Sequence, residues 1–198
     1  MANRLLFLRE EGRANMNKII KDAVFGAIGG IAGTFVLNKT MEVLSGFQSN
    51  HDKWLERELI REQPTQALAG KIAEKGFGVE LSKDAKTQWG TAISWGYGTV
   101  WGALYGIMRD EMPATSKGAG IPFGIGFGLF GSALLLPTFD LTPAATEFPV
   151  SSHLVGLASH CAYAATVEGV CTALEAAERA IGTEDISQKT NPELRQVS

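Results

Sequence analysis

The sequence predicts an all-α polytopic membrane protein, a bundle of four transmembrane helices with a short helical extramembrane loop. Three observations carry this. Charge is unevenly placed: between Thr87 and Leu174 the only charged residues are Arg109, Asp110, Glu111, Lys117, Asp140, Glu147 and Glu168. Two uncharged stretches, Thr87–Met108 and Gly118–Phe139, are each long enough to cross about 30 Å of hydrocarbon, which takes roughly 20 residues. Both are rich in glycine at helical spacing. A soluble helix of that length would have to show one face to water.

The first span is Ala23–Leu44, "AVFGAIGGIAGTFVLNKTMEVL", with Lys39 able to snorkel toward the headgroups. The second is Thr87–Met108, containing "WGTAISWGYGTVWGALYG". The third is Gly118–Phe139, and the fourth is Val150–Leu174, interrupted only by Glu168. Residues 1–182 form one membrane domain, followed by a polar, mobile tail over 183–198.

Glycine inside a helix costs on the order of 1 kcal/mol against alanine in water. In lipid the backbone has no other way to satisfy its polar groups, so the helix survives. Association then depends on close backbone approach, which small residues permit. The packing residues are therefore Gly26, Gly30 and Gly33 in the first span, with Gly29. In the second they are Gly90, Gly98, Gly102 and Gly106. In the third they are Gly120, Gly124 and Gly128. These seams serve a tight intramolecular bundle or, alternatively, self-association or contact with other membrane subunits.

The loop Ser45–Lys86 reads as two short amphipathic helices. Ser49 or Asn50 caps the first, Pro64 ends it, and Gly76 stops the second. They cover the bundle's own end or rest on the membrane surface. Trp89 and Tyr105 mark the two membrane interfaces, and Trp95 and Trp101 fill space opposite the glycines.

Net charge is −3 and the pI about 5.7, which gives no electrostatic footprint for nucleic acid. The N-terminus lacks a signal-peptide design, since the apolar run Leu5–Leu8 is too short. Cys161 and Cys171, ten residues apart in one predicted helix, are about 15 Å apart and stay free thiols. Basic residues of the N-terminal arm and of the 109–117 turn place the termini in the cytoplasm, although seven Lys or Arg in the first loop oppose this.

One constellation invites chemistry. His153, His160 and Glu168 fall within a sector of about 80° on the fourth helix. With Asp140 on the preceding connection, they form a candidate polar or proton site, a relay or ion path. The alternative is structural: His153 bonds a loop carbonyl at the span's mouth, and Glu168 bonds a Ser, Thr or Tyr. No spacing of three or four ligands indicates a metal, and no cofactor is expected. Ser151 and Ser152 beside His153 are neighbours in sequence, which makes no triad. "GAIGGIAG" follows no strand and lacks the Lys-Ser/Thr of a phosphate loop.

Pro137, Phe139-Asp140-Leu141 and, eleven residues on, His153-Leu154-Val155 resemble the YagU-like family of bacterial inner-membrane proteins. "GAIGGIAG" followed by "VLNKTMEVL" is similar to the first span of related proteins. The resemblance implies a bacterial inner-membrane location and supplies no catalytic residues. The expectation is a non-enzymatic structural or accessory protein whose first partner is the lipid bilayer. The alternative is a small transporter or proton conduit built on the His160/Glu168 stripe.

Overall fold

The computed structural model describes the backbone of residues 2–190, and their side chains apart from those of residues 2–10, 14, 133 and 183–190. It is all-α. In chain order the helices are α1 (Ala2–Ser45), α2 (Asn50–Leu59), α3 (Pro64–Phe77), α4 (Lys83–Glu111), α5 (Pro113–Leu129), a π-helical turn (Phe130–Leu135), α6 (Leu136–Thr138), and α7 (Val150–Thr190) after a short 3-10 turn. Glu11–Ser45, Pro113–Thr138 and Val150–Gly182 are long and apolar enough to cross a membrane. α4 is equally long, but its Gly, Thr, Ser, Trp and Tyr content lowers its hydropathy, and by composition it does not join those three.

The long helices form an up-down-up-down ring in the order α1, α4, α5, α7. Two seams on α1 set its neighbours. Gly26 and Gly30 face Gly98, Gly102 and Gly106 of α4, while Gly29 and Gly33 face Val167 and Tyr163 of α7. The backbones are in near contact: a Cβ placed on Gly30 would come 3.1 Å from the Gly102 Cα. Gly120, Gly124 and Gly128 of α5 lie against Ala164, Cys161 and His160 of α7. Gly90 sits outside the ring contacts, against Gln66 of α3. Aromatic rings close the fourth side, with Trp101 of α4 against Phe123 and Phe127 of α5. Tyr105, Tyr163, Ala164 and Val167 are wholly buried at the centre.

Several element ends differ from the sequence expectation. α1 begins well upstream of Ala23, and α7 continues as helix to Thr190, where a polar mobile tail was expected; residues 191–198 lie outside the described residues. α4 begins a turn before Thr87, because Ser82 caps it by accepting from the Ala85 N–H at 3.2 Å. Ser49 caps α2 in the same way, 3.0 Å from the Asp52 N–H. Pro64 does not end α2. It opens α3, where its missing N–H removes no helical bond. α3 stops at Gly78 and not at Gly76. Gly78 takes the left-handed conformation (φ +65°), and the Val79 N–H closes on Ala73 O at 3.1 Å.

The third span is broken at both ends. A first turn from Pro113 gives way to left-handed backbone at Gly118, Ala119 and Gly120 (φ +57°, +59° and +78°). The helix restarts with Pro122 in its opening turn, a position proline tolerates. The π turn at Phe130–Leu135 precedes Pro137, which cannot donate to the carbonyl of residue 133 and would clash with it in a regular α-helix.

Candidate functional site

Two polar belts bound the ring, separated by an uncharged layer. The first lies where α1 and α4 meet the C-terminal half of α7. Arg109 of α4 reaches across to α7 with both arms of its guanidinium: Nη2 donates to Glu168 Oε1 at 2.9 Å and Nη1 donates to Glu175 Oε1. The remaining Glu168 oxygen accepts from the Tyr105 hydroxyl at 2.6 Å. Thr172 adds a longer bond, 3.3 Å, to Glu168 Oε1. The Arg109 and Glu168 side chains are only 11% and 17% exposed. Such a pair holds because each charge finds several partners at once.

Around this centre, Lys18 bridges Asp22 at 2.9 Å and Asp110 at 2.6 Å, and so joins α1 to α4. Lys21 pairs with Glu178 at 2.9 Å, which sets the start of the α1 span beside the end of the α7 span.

The second belt ties the short helices to the opposite end. Ser151 donates to Asp52 at 2.8 Å and Ser152 to Glu56 at 3.0 Å, so two acids of α2 sit at the positive N-terminus of α7. Lys71 of α3 donates to the carbonyls of Phe139 and Asp140, at 2.7 and 2.9 Å.

The expected stripe on α7 is divided between these surroundings. His153 Nε2 bonds Ala145 O at 2.9 Å, the loop carbonyl of the structural alternative. His160 Nδ1 bonds Gly156 O of its own helix at 2.7 Å, and its ring packs edge-on against Phe127, 4.9 Å between centroids. The two histidines border one cleft of about 210 Å³ with Ser132, Ser152 and Gly156. Glu168 lies two turns beyond, on the far side of buried Ala164 and Val167, in the Arg109 cluster. Asp140 takes no part in either group: its backbone is left-handed (φ +50°), its N–H donates to Pro137 O at 3.0 Å and its carbonyl accepts from Lys71.

Sequence reasoning gave Arg109 no site role, and it did not place Tyr105 in this cluster, where its side chain is wholly buried and donates to Glu168. The signal for Arg109 was present. It is the base that ends one uncharged stretch, as Glu168 is the acid that ends another.

Among the described residues no group of three or more His, Cys, Asp or Glu could hold a metal ion. No protein-family model, curated protein or solved structure matches the chain. The likeness to YagU-like proteins thus stands on its short motifs alone.

Proposed function

We propose that this chain is a non-enzymatic integral membrane protein in which α1, α4, α5 and α7 all cross the bilayer, with a structural or accessory role in a larger membrane complex. The observation that carries this reading is the disposition of charge. Asp22, Arg109, Asp110, Glu168 and Glu178 gather at one end. Lys71 and the Asp52 and Glu56 carboxylates gather at the other. Between the belts the helices present uncharged residues, over about 33 Å in α4 (87–108) and about 24 Å in α1 (23–38), where Lys39 can snorkel toward the headgroups.

α4 belongs to that layer despite its modest hydropathy, since Gly98, Gly102 and Gly106 face α1 and Tyr97, Trp101 and Tyr105 pack on rings of α5. The Lys21–Glu178 pair supports both termini on one side of the membrane. Their cytoplasmic placement in a bacterial inner membrane rests on the basic N-terminal arm and on the YagU-like resemblance. The conduit reading gains nothing from the geometry, because packed Ala164 and Val167 separate His160 from Glu168.

The test is extraction in mild detergent followed by native mass and composition of the particle. Other polypeptides in fixed ratio are expected. A particle made of this chain alone, together with proton flux in proteoliposomes that Glu168→Gln and His160→Ala abolish, would overturn the accessory role in favour of a conduit.

A further inference from the structure

An apolar hollow lies outside the ring, between α3 and the first turns of α4. It measures about 510 Å³, within the range of about 300–1,000 Å³ usual for small-molecule sites. Ala69, Ile72, Phe77, Val79, Trp89 and Ile93 line it. Phe77 is 78% exposed and Trp89 60%. Large aromatic surface left this open is not a solvent-facing design.

We propose that this groove holds a lipid acyl chain at the hydrocarbon boundary opposite the Arg109 cluster. The inference rests on the reading that α4 crosses the bilayer. Three observations favour a lipid over a protein occupant.

The α4 wall of the groove is continuous with the outward face of that helix: Trp89, Ile93, Val100 and Leu104 fall within a sector of about 60°, and Val100 and Leu104 are exposed below it. The depth agrees, because Trp89 precedes Arg109 by about 30 Å of helix, one hydrocarbon thickness. Third, Lys71 fastens α3 to the carbonyls that end α6, which holds the groove at the mouth of the bundle.

Behind the loop that joins α3 to α4, a polar recess of about 450 Å³ shares Val79 and Leu81 with the groove. Lys71, Lys86, Glu74 and Glu80 border it. Its mixed charge selects no particular headgroup, so the commitment is to the chain.

The full-length chain is reconstituted with Trp89 as its only tryptophan (Trp54, Trp95 and Trp101→Phe) in phosphatidylcholine vesicles brominated on the acyl chains. Most of the Trp89 emission should be lost to bromine and little to aqueous iodide. A second single-tryptophan chain, Val100→Trp with Trp89→Phe, reports on the membrane reading itself. If bromine quenches the Val100→Trp chain but not the Trp89 chain, the groove proposal fails and the membrane span stands. If it quenches neither, both fail. Iodide quenching of Trp89 without bromine quenching means an aqueous groove, and also overturns the proposal. Because Trp101 is a core residue, native mass spectra of the chain with all its tryptophans serve as a second measurement. They should carry a bound phospholipid that the groove-filling Ile72→Trp variant loses. Retention of that lipid counts against the site.

Discussion

Arg109 and Glu168 face each other across the diagonal of the ring, 2.9 Å apart, joining α4 to α7, which also meet where the buried Tyr163 hydroxyl donates to Gly98 O. The pair is a cross-brace whose partners are 59 residues apart in sequence. Arg109→Ala leaves two carboxylates facing a poorly solvated space, and it should destabilise the bundle by about 3–5 kcal/mol. Reversible unfolding in mixed micelles measures this. Adding Glu168→Gln should recover part of the loss. A cost below about 1 kcal/mol would show the pair to be screened like a surface ion pair.

The glycine seams predict a sharp contrast between neighbouring positions. A Cβ on Gly102 would come within 2.5 Å of the Gly30 Cα, and backbone cannot swing aside as a side-chain tip can. Gly102→Ala should therefore separate α1 from α4, with a loss of several kcal/mol, on the order of a buried overpacking defect or more. Gly96 and Gly126 meet nothing within 4 Å. Alanine there should be neutral or stabilise by up to about 1 kcal/mol. The same unfolding measurement compares all three, and equal effects would remove the seams from the explanation.

How far the sequence foretold this depends on the range of each signal. Glycines repeating at fourth positions are a local pattern, and the ladders in α1, α4 and α5 were legible from it. Their allocation was not, because Gly90 meets α3 while Gly98 on the same helix meets α1. Helix ends were misplaced where proline and glycine each permit two roles, as at Pro64, Gly76 and Gly78. The α7 stripe failed for another reason. A helical wheel shows which residues share a face but not what packs between them along it. Arg109 and Tyr105 reach Glu168 from a different helix, and only the tertiary arrangement brings them together.

Ala119 sits at φ +59°, a conformation that costs a non-glycine residue roughly 1–2 kcal/mol. Ala119→Gly should stabilise the turn before the α5 span by about 1 kcal/mol without altering the bundle. Thermal unfolding followed by circular dichroism checks this, and a lower midpoint would contradict it.

The docking of α2 on α7 makes a separable claim. The Ser151–Asp52 bond, 2.8 Å long, should show a coupling of about 0.5–1.5 kcal/mol in a double-mutant cycle of Ser151→Ala and Asp52→Asn. Additive single effects would mean that the bond contributes nothing to holding the helix in place.

The two seams of α1 also bear on how the chain is made. α1 leaves the ribosome before either of its neighbours: one seam waits for α4, and the other, at Gly29 and Gly33, waits for α7. The ring cannot close before α7 has been made. A nascent chain stalled before Val150 would expose the Gly29/Gly33 seam, the Gly120–Gly128 ladder and an unneutralised Arg109 all at once. Quality-control proteases that survey unpaired membrane segments would thus meet one cluster of signals, and completion of α7 would erase them together.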